Sequence, residues 1–106
     1  MSAAFDFPRW CLWVETLASK LTAEGKPSEA RCGREATPKN CCSVRVSAGT
    51  RLGQFDFWET GEADYDVMDA TSKIFFTHKW GSRLSNESFE AGFMEFLQAL
   101  SDEDCS

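Results

Sequence analysis

Asp56, Glu59, Glu62, Asp64, Asp66 and Asp69 place six carboxylates within residues 54–70, QFDFWETGEADYDVMDA, without a single Lys or Arg. Carboxylates at this density have three chemical uses. They can ligate a hard cation, act as an acid–base pair, or receive a cationic partner. For a cation, Asp64-x-Asp66-x-x-Asp69 offers oxygens, but it lacks the glycine and the distal Glu of an EF-hand loop. On a strand, Asp64 and Asp66 share a side and Asp69 does not. For hydrolysis, Asp56 and Asp64 could meet across two strands as a glycosidase-like pair. A flat sheet without a cleft offers such a pair no substrate site. The third use is the one the pattern favours.

Other chemistry is weakly signalled. Cys32, Cys41, Cys42 and His78 lack the paired cysteine spacing of a zinc site. His78 is the only histidine. It falls in an apolar alternation with Phe76 and Trp80 and is expected on the inward face of a strand. Nothing in its spacing couples it to Cys11, Cys41 or Cys42 as a base to a nucleophile. The chain has no G-x-S-x-G, no phosphate-binding loop and no G-x-G-x-x-G. The expectation is a protein that is not an enzyme, with no cofactor, no metal and no catalytic residues.

Charge supports a protein partner. The net charge is −6. Residues 1–53 contribute +3, residues 54–70 contribute −6 and residues 71–106 contribute −3. An acidic patch repels phosphates, which argues against direct nucleic-acid binding. It attracts a basic protein.

These carboxylates need a scaffold, and the sequence supplies one. With 106 residues, the chain reads as a single domain, 1–106. Nine Phe and four Trp provide for a core. Trp10, Trp13, Val14, Leu17 and Leu21 form the apolar stripe of a helix over 8–24. Asp6 is suited to cap it, Pro8 fits its first turn, and Gly25 and Pro27 end it. Residues 26–42 are polar and interrupted by Pro27, Gly33 and Pro38, and read as a mobile loop. Four strands follow, at 43–48, 52–59, 63–69 and 73–80, joined by links short enough to make an antiparallel meander. A last helix over 86–100 carries Phe89, Phe93, Phe96, Leu97 and Leu100, with Ser85 as its cap. Residues 101–106 make an acidic tail. The fold class expected is α+β: a four-stranded antiparallel sheet with both terminal helices on one face, in the order α-β-β-β-β-α.

That architecture sorts the acidic stretch. Phe55, Phe57, Ala63, Tyr65 and Val67 point inward. Asp56, Trp58, Asp64, Asp66 and Met68 point outward, and Glu59, Glu62 and Asp69 lie at turns. The expected partner-binding set is therefore Asp56, Trp58, Glu59, Glu62, Asp64, Asp66, Met68 and Asp69. An apolar anchor ringed by charge is the composition of a binding hot spot.

The five cysteines are odd in number and irregular in spacing. They read as free thiols, which fits a reducing compartment. The start, MSAAFDFPRWCLW, shows neither a basic leader nor a long apolar run, and no stretch reaches the roughly 20 apolar residues of a membrane span. The expected location is the cytoplasm, with no membrane partner.

The run GQFDFWETGEADYDVMDATSKIFFTHKW, followed by LSNESFEAGFMEFLQAL, resembles the TriTu immunity proteins of bacterial polymorphic toxin systems. The resemblance lies in a glycine, alternating apolar positions, and then Trp-x-(Ser/Thr)-Gly-Glu-(Ala/Cys)-Asp. Gly53, Phe55, Phe57, Trp58, Gly61, Glu62, Ala63 and Asp64 fill those positions, and the terminal helices match in place. Residues 26–42 match nothing in the pattern. The resemblance implies an antidote that binds the toxin domain of a cognate effector one-to-one, as in contact-dependent growth inhibition. An acidic face would suit a basic nuclease. The alternative is a small acidic secretion chaperone, in which a homodimer holds an unfolded effector segment.

Overall fold

The computed structural model describes residues 5–33, 41–69, 71 and 75–101, excluding the side chains of residues 32, 33, 75–80, 82 and 101. The chain folds as α1 (Phe7–Ala23), β1 (Ser28–Gly33), β2 (Cys41–Ala48), β3 (Arg51–Trp58), β4 (Glu62–Asp69), β5 (Phe75–Arg83) and α2 (Phe89–Ser101). The strands pair antiparallel in sequence order, so the sheet is a meander. The α+β class and the helix–sheet–helix order are as expected.

The sheet has one strand more than the sequence suggests. β1 occupies Ser28–Gly33, inside the stretch read as a mobile loop. Ser28, Ala30 and Cys32 pair with Val46, Val44 and Cys42 of β2, while Glu29 and Arg31 are exposed. The alternation is of small against charged residues, not apolar against polar, and it escapes a search for hydrophobic period. Residues 34–40 and 102–106, the latter including most of the acidic tail, lie outside the described residues.

α1 begins as its sequence dictates. The Asp6 carboxylate accepts the Arg9 N–H (3.3 Å), and Pro8 sits in the first turn, where a missing N–H leaves nothing unpaired. α2 starts later than its apolar stripe suggests. Ser85 does cap, its Oγ accepting the Ser88 N–H (3.2 Å) and its carbonyl the Phe89 N–H (2.9 Å). Residues 86–88 remain a turn before the regular helix.

Both helices cover one face of the sheet, α1 over β1 and β2, and α2 over β3 and β4. Their buried side chains (Trp10, Val14, Phe89, Phe93 and Phe96 among them) meet Val44, Val46, Phe55, Phe57 and Val67 from the sheet. The seam is aromatic: Trp10 stacks on Phe89 with centroids 4.5 Å apart, and Trp13 meets Phe93 edge-on at 5.5 Å. Asn86 clamps the seam, its Oδ1 accepting both the Trp10 Nε1–H (3.0 Å) and the Asp6 N–H (2.8 Å). Gly53 lets α2 sit low. A Cβ there would stand 2.8 Å from the Phe96 ring and 3.0 Å from Leu100. At the other end of α2, Arg51 Nη1 donates to the Ala99 carbonyl (2.9 Å), one of the acceptors that a helix end leaves open.

The cysteines depart from expectation. Cys42 is disulfide-bonded and fully buried. Cys11 and Cys41 are not disulfide-bonded. The register sets Cys32 directly opposite Cys42, a juxtaposition that exists only because β1 is a strand. The cysteines therefore give no argument for a reducing compartment. Among the described residues, no helix is long and apolar enough to cross a membrane.

Candidate protein-binding face

The face of the sheet away from the helices is set by strand period. With Phe55, Phe57, Ala63, Tyr65 and Val67 buried, the intervening residues of β3 and β4 point outward and are half-buried. The register then decides which meet. Asp56 stands opposite Asp64, Gln54 opposite Asp66, and Leu52 opposite Met68. Directly opposed residues on one face lie roughly 5 Å apart, and like charges there are unfavourable. In bulk water such a pair repels by about 0.8 kcal/mol.

The two central carboxylates are held by different means. Asp56 accepts from the Ser43 hydroxyl of β2 (2.6 Å) and from the Gln54 amide (3.2 Å to each oxygen). Gln54 in turn accepts from Arg45 Nε (3.1 Å), so a polar relay runs from Arg45 through Gln54 to Asp56. Asp64 accepts the backbone N–H of Gly81 (2.7 Å). That donor is available because the β4–β5 register slips between Ala63 and Tyr65, and Gly81 adopts a left-handed backbone, φ +75°, at the slip. A glycine takes up that conformation without steric penalty. Both carboxylates are thus oriented before any partner arrives.

The remaining expected residues divide. Asp66 adjoins the pair as the neighbour of Asp64 on the same side of β4. Trp58 and Met68 share the face and are half-buried. Glu62 is the first residue of β4, not a turn residue. It lies 3.8 Å from Arg83 on the exposed flank of β5 and accepts from Thr60 Oγ1 (3.2 Å). Asp69 ends β4 opposite Arg51 and accepts the Thr71 N–H (3.1 Å), which makes it a turn-organising residue. Glu59 is exposed in the β3–β4 turn. The eight residues therefore form a centre at Asp56, Asp64 and Asp66 with flanks on both sides, not one cluster.

Sequence reasoning missed Ser43, Gln54 and Arg45. All three fall at outward positions of their strands, and the signal that would have revealed them is the register. The ladder also sets His78 opposite Asp66 and Lys79 opposite Tyr65. The inward placement expected for the His78 side chain lies outside the described side chains.

Across the outward face, charge changes from mixed to acidic. β1 carries Glu29 and Arg31, paired at 2.6 Å, and β2 carries Arg45. β3 and β4 carry Asp56, Asp64 and Asp66. Such a surface receives hydrogen-bond donors and cations. Comparisons of the chain with protein-family models, with curated proteins and with solved structures returned no match.

Proposed function

We propose that the protein is an immunity protein that neutralises the toxin domain of a cognate effector, a basic nuclease, by binding it through the outer face of β3 and β4. The observation that carries this reading is the register of Asp56 against Asp64, with Asp66 beside them. Like charges oriented side by side on a solvent-facing sheet are costly to the free protein, and a cationic partner relieves that cost. They also steer such a partner during encounter. A nuclease must be basic where it holds its polyanionic substrate, so an acidic face can cover that site. Half-buried Trp58 and Met68 on the same face supply the apolar contact that charge alone lacks. An interface of standard size buries about 1,600 Å² in total, which one sheet face and its turns can provide. On this reading the protein works in the cytoplasm of the producing cell and binds its toxin one-to-one.

The test measures binding kinetics at low and at moderate salt against a basic toxin domain, sought first in the gene next to this protein's own. Asp64→Lys combined with Asp66→Lys is expected to slow association roughly tenfold or more at low salt while leaving the fold intact. Trp58→Ala is expected to speed dissociation with little loss of stability. Unchanged association by the double Lys variant would overturn the proposed face. A tight complex with an unfolded segment, in place of a folded toxin, would favour the chaperone.

A further inference from the structure

β1 closes one edge of the sheet, and among the described residues it pairs on one side only, with β2. The phase of its ladder is fixed by one bond. The Ser47 N–H donates to the Pro27 carbonyl (2.9 Å), so Pro27 and Ser47 form a hydrogen-bonded step. Antiparallel strands alternate. Glu29 and Arg31 therefore turn their backbone groups toward β2, whereas Ser28, Ala30 and Cys32 turn theirs outward.

An independent contact agrees. The Thr22 hydroxyl of α1 accepts the Ser28 N–H (2.9 Å) and donates to the Ser28 carbonyl (3.2 Å), so both groups face away from β2. Thr22 thus closes one end of the edge. Ala30 is the centre of what stays open. A groove of about 430 Å³ lies there, between Ala18, Ser19 and Thr22 of α1 and Ser28, Glu29 and Ala30 of β1.

We propose that this edge pairs with the same edge of a second copy, making a weak homodimer with one continuous sheet. The charges on β1 select the partner and the register. In an isologous antiparallel pairing, β1 is centred on one of its own residues. Centred on Glu29, it sets Glu29 against the partner's Glu29. Centred on Arg31, it sets Arg31 against the partner's Arg31. Centred on Ala30, it sets Glu29 against the partner's Arg31 and Arg31 against the partner's Glu29. This is also the register that brings the outward N–H and C=O of Ala30 onto those of the partner's Ala30. The hydrogen-bond phase admits all three centres, and charge selects the one on Ala30. Because Thr22 holds Ser28, the ladder is short and the dimer depends on concentration.

The two-fold axis of such a pair runs normal to the sheet. Both outward faces then lie on one side, and the two α1 helices are neighbours on the other. The inference does not depend on the toxin reading, since the pairing uses β1 and the proposed toxin face uses β3 and β4.

Sedimentation velocity of the full chain over a wide concentration range tests it. A monomer–dimer equilibrium is expected. Glu29→Arg should weaken it roughly tenfold or more, because each edge then meets two like-charged pairs. Glu29→Arg combined with Arg31→Glu should restore it. Ala30→Pro removes an N–H that points away from β2, so it should abolish dimerisation while the melting curve stays cooperative. A chain that stays monomeric throughout overturns the proposal. So does a dimer indifferent to Glu29→Arg and Ala30→Pro. An Ala30 amide that exchanges freely at all concentrations, and is protected only when another protein is added, would give the edge to that protein instead.

Discussion

Asp56 of β3 and Asp64 of β4 occupy opposite positions of one ladder step, each held by donors of its own: Ser43 and Gln54 for the first, the Gly81 amide for the second. The sheet thus holds two negative charges together that would separate in a flexible chain. Replacing Asp56 by Asn removes one charge and keeps an acceptor for Ser43. The Asn variant is expected to be more stable by about 0.3–0.8 kcal/mol at low ionic strength, with the gain shrinking at high salt. Urea midpoints at two salt concentrations measure this. A loss of stability at low salt would mean that the bonds to Ser43 and Gln54 outweigh the repulsion.

Gly53 reports on how closely α2 packs. The Cβ of Gly53→Ala would press on the Phe96 ring at 2.8 Å and on Leu100 at 3.0 Å. Neither side chain is free to swing, because both are buried in the core. The substitution is expected to cost about 1–3 kcal/mol, as overpacking does. Thermal denaturation is the measurement, and an unchanged melting temperature would show that α2 can ride outward at no cost.

Tyr65 gives the protein an alkaline limit. Its hydroxyl lies where β4 meets α2 and donates to Glu95 Oε2 at 2.7 Å. Burial pushes its pKa up to about 12, helped by the bond to Glu95 and by the charge of that carboxylate. The unfolded chain releases the same proton near pH 10. The folded state therefore holds the proton more tightly. This contribution is complete below about pH 10 and is lost as pH rises through about 12. Tyr65→Phe should cost about 1 kcal/mol at neutral pH and should flatten the decline between those limits. Denaturant melts across that window, beside an ultraviolet titration of the phenol, would check both.

The helices, β3 and β4 were legible because each places large apolar residues at its own period. Trp10, Val14 and Leu21 mark a helix, and Phe55 and Phe57 mark a strand. The outward set followed from the inward set, since a strand has only two sides. β1 was not legible. Its positions opposite Val46, Val44 and Cys42 hold Ser28, Ala30 and Cys32, none of them a large apolar residue that would mark a strand. The bonded state of Cys42 was hidden for the same reason, because the strand that brings Cys32 opposite it was unseen. Asn86 gave no signal either. Its two bonds to the start of the chain span 80 and 76 positions, and no local pattern encodes a contact of that reach. Pairwise meetings such as Asp56 with Asp64 needed the register, which depends on where each turn begins.

The clamp made by Asn86 has a consequence for how the molecule is born. Phe89, Phe93, Phe96 and Leu100 leave the ribosome after the whole sheet, yet they fill the space beneath Phe55 and beside Trp10. Until they emerge, the nascent sheet exposes a row of aromatic rings to solvent. An interrupted translation product would stay sticky and be open to degradation, and only a chain synthesised through its second helix can shield itself.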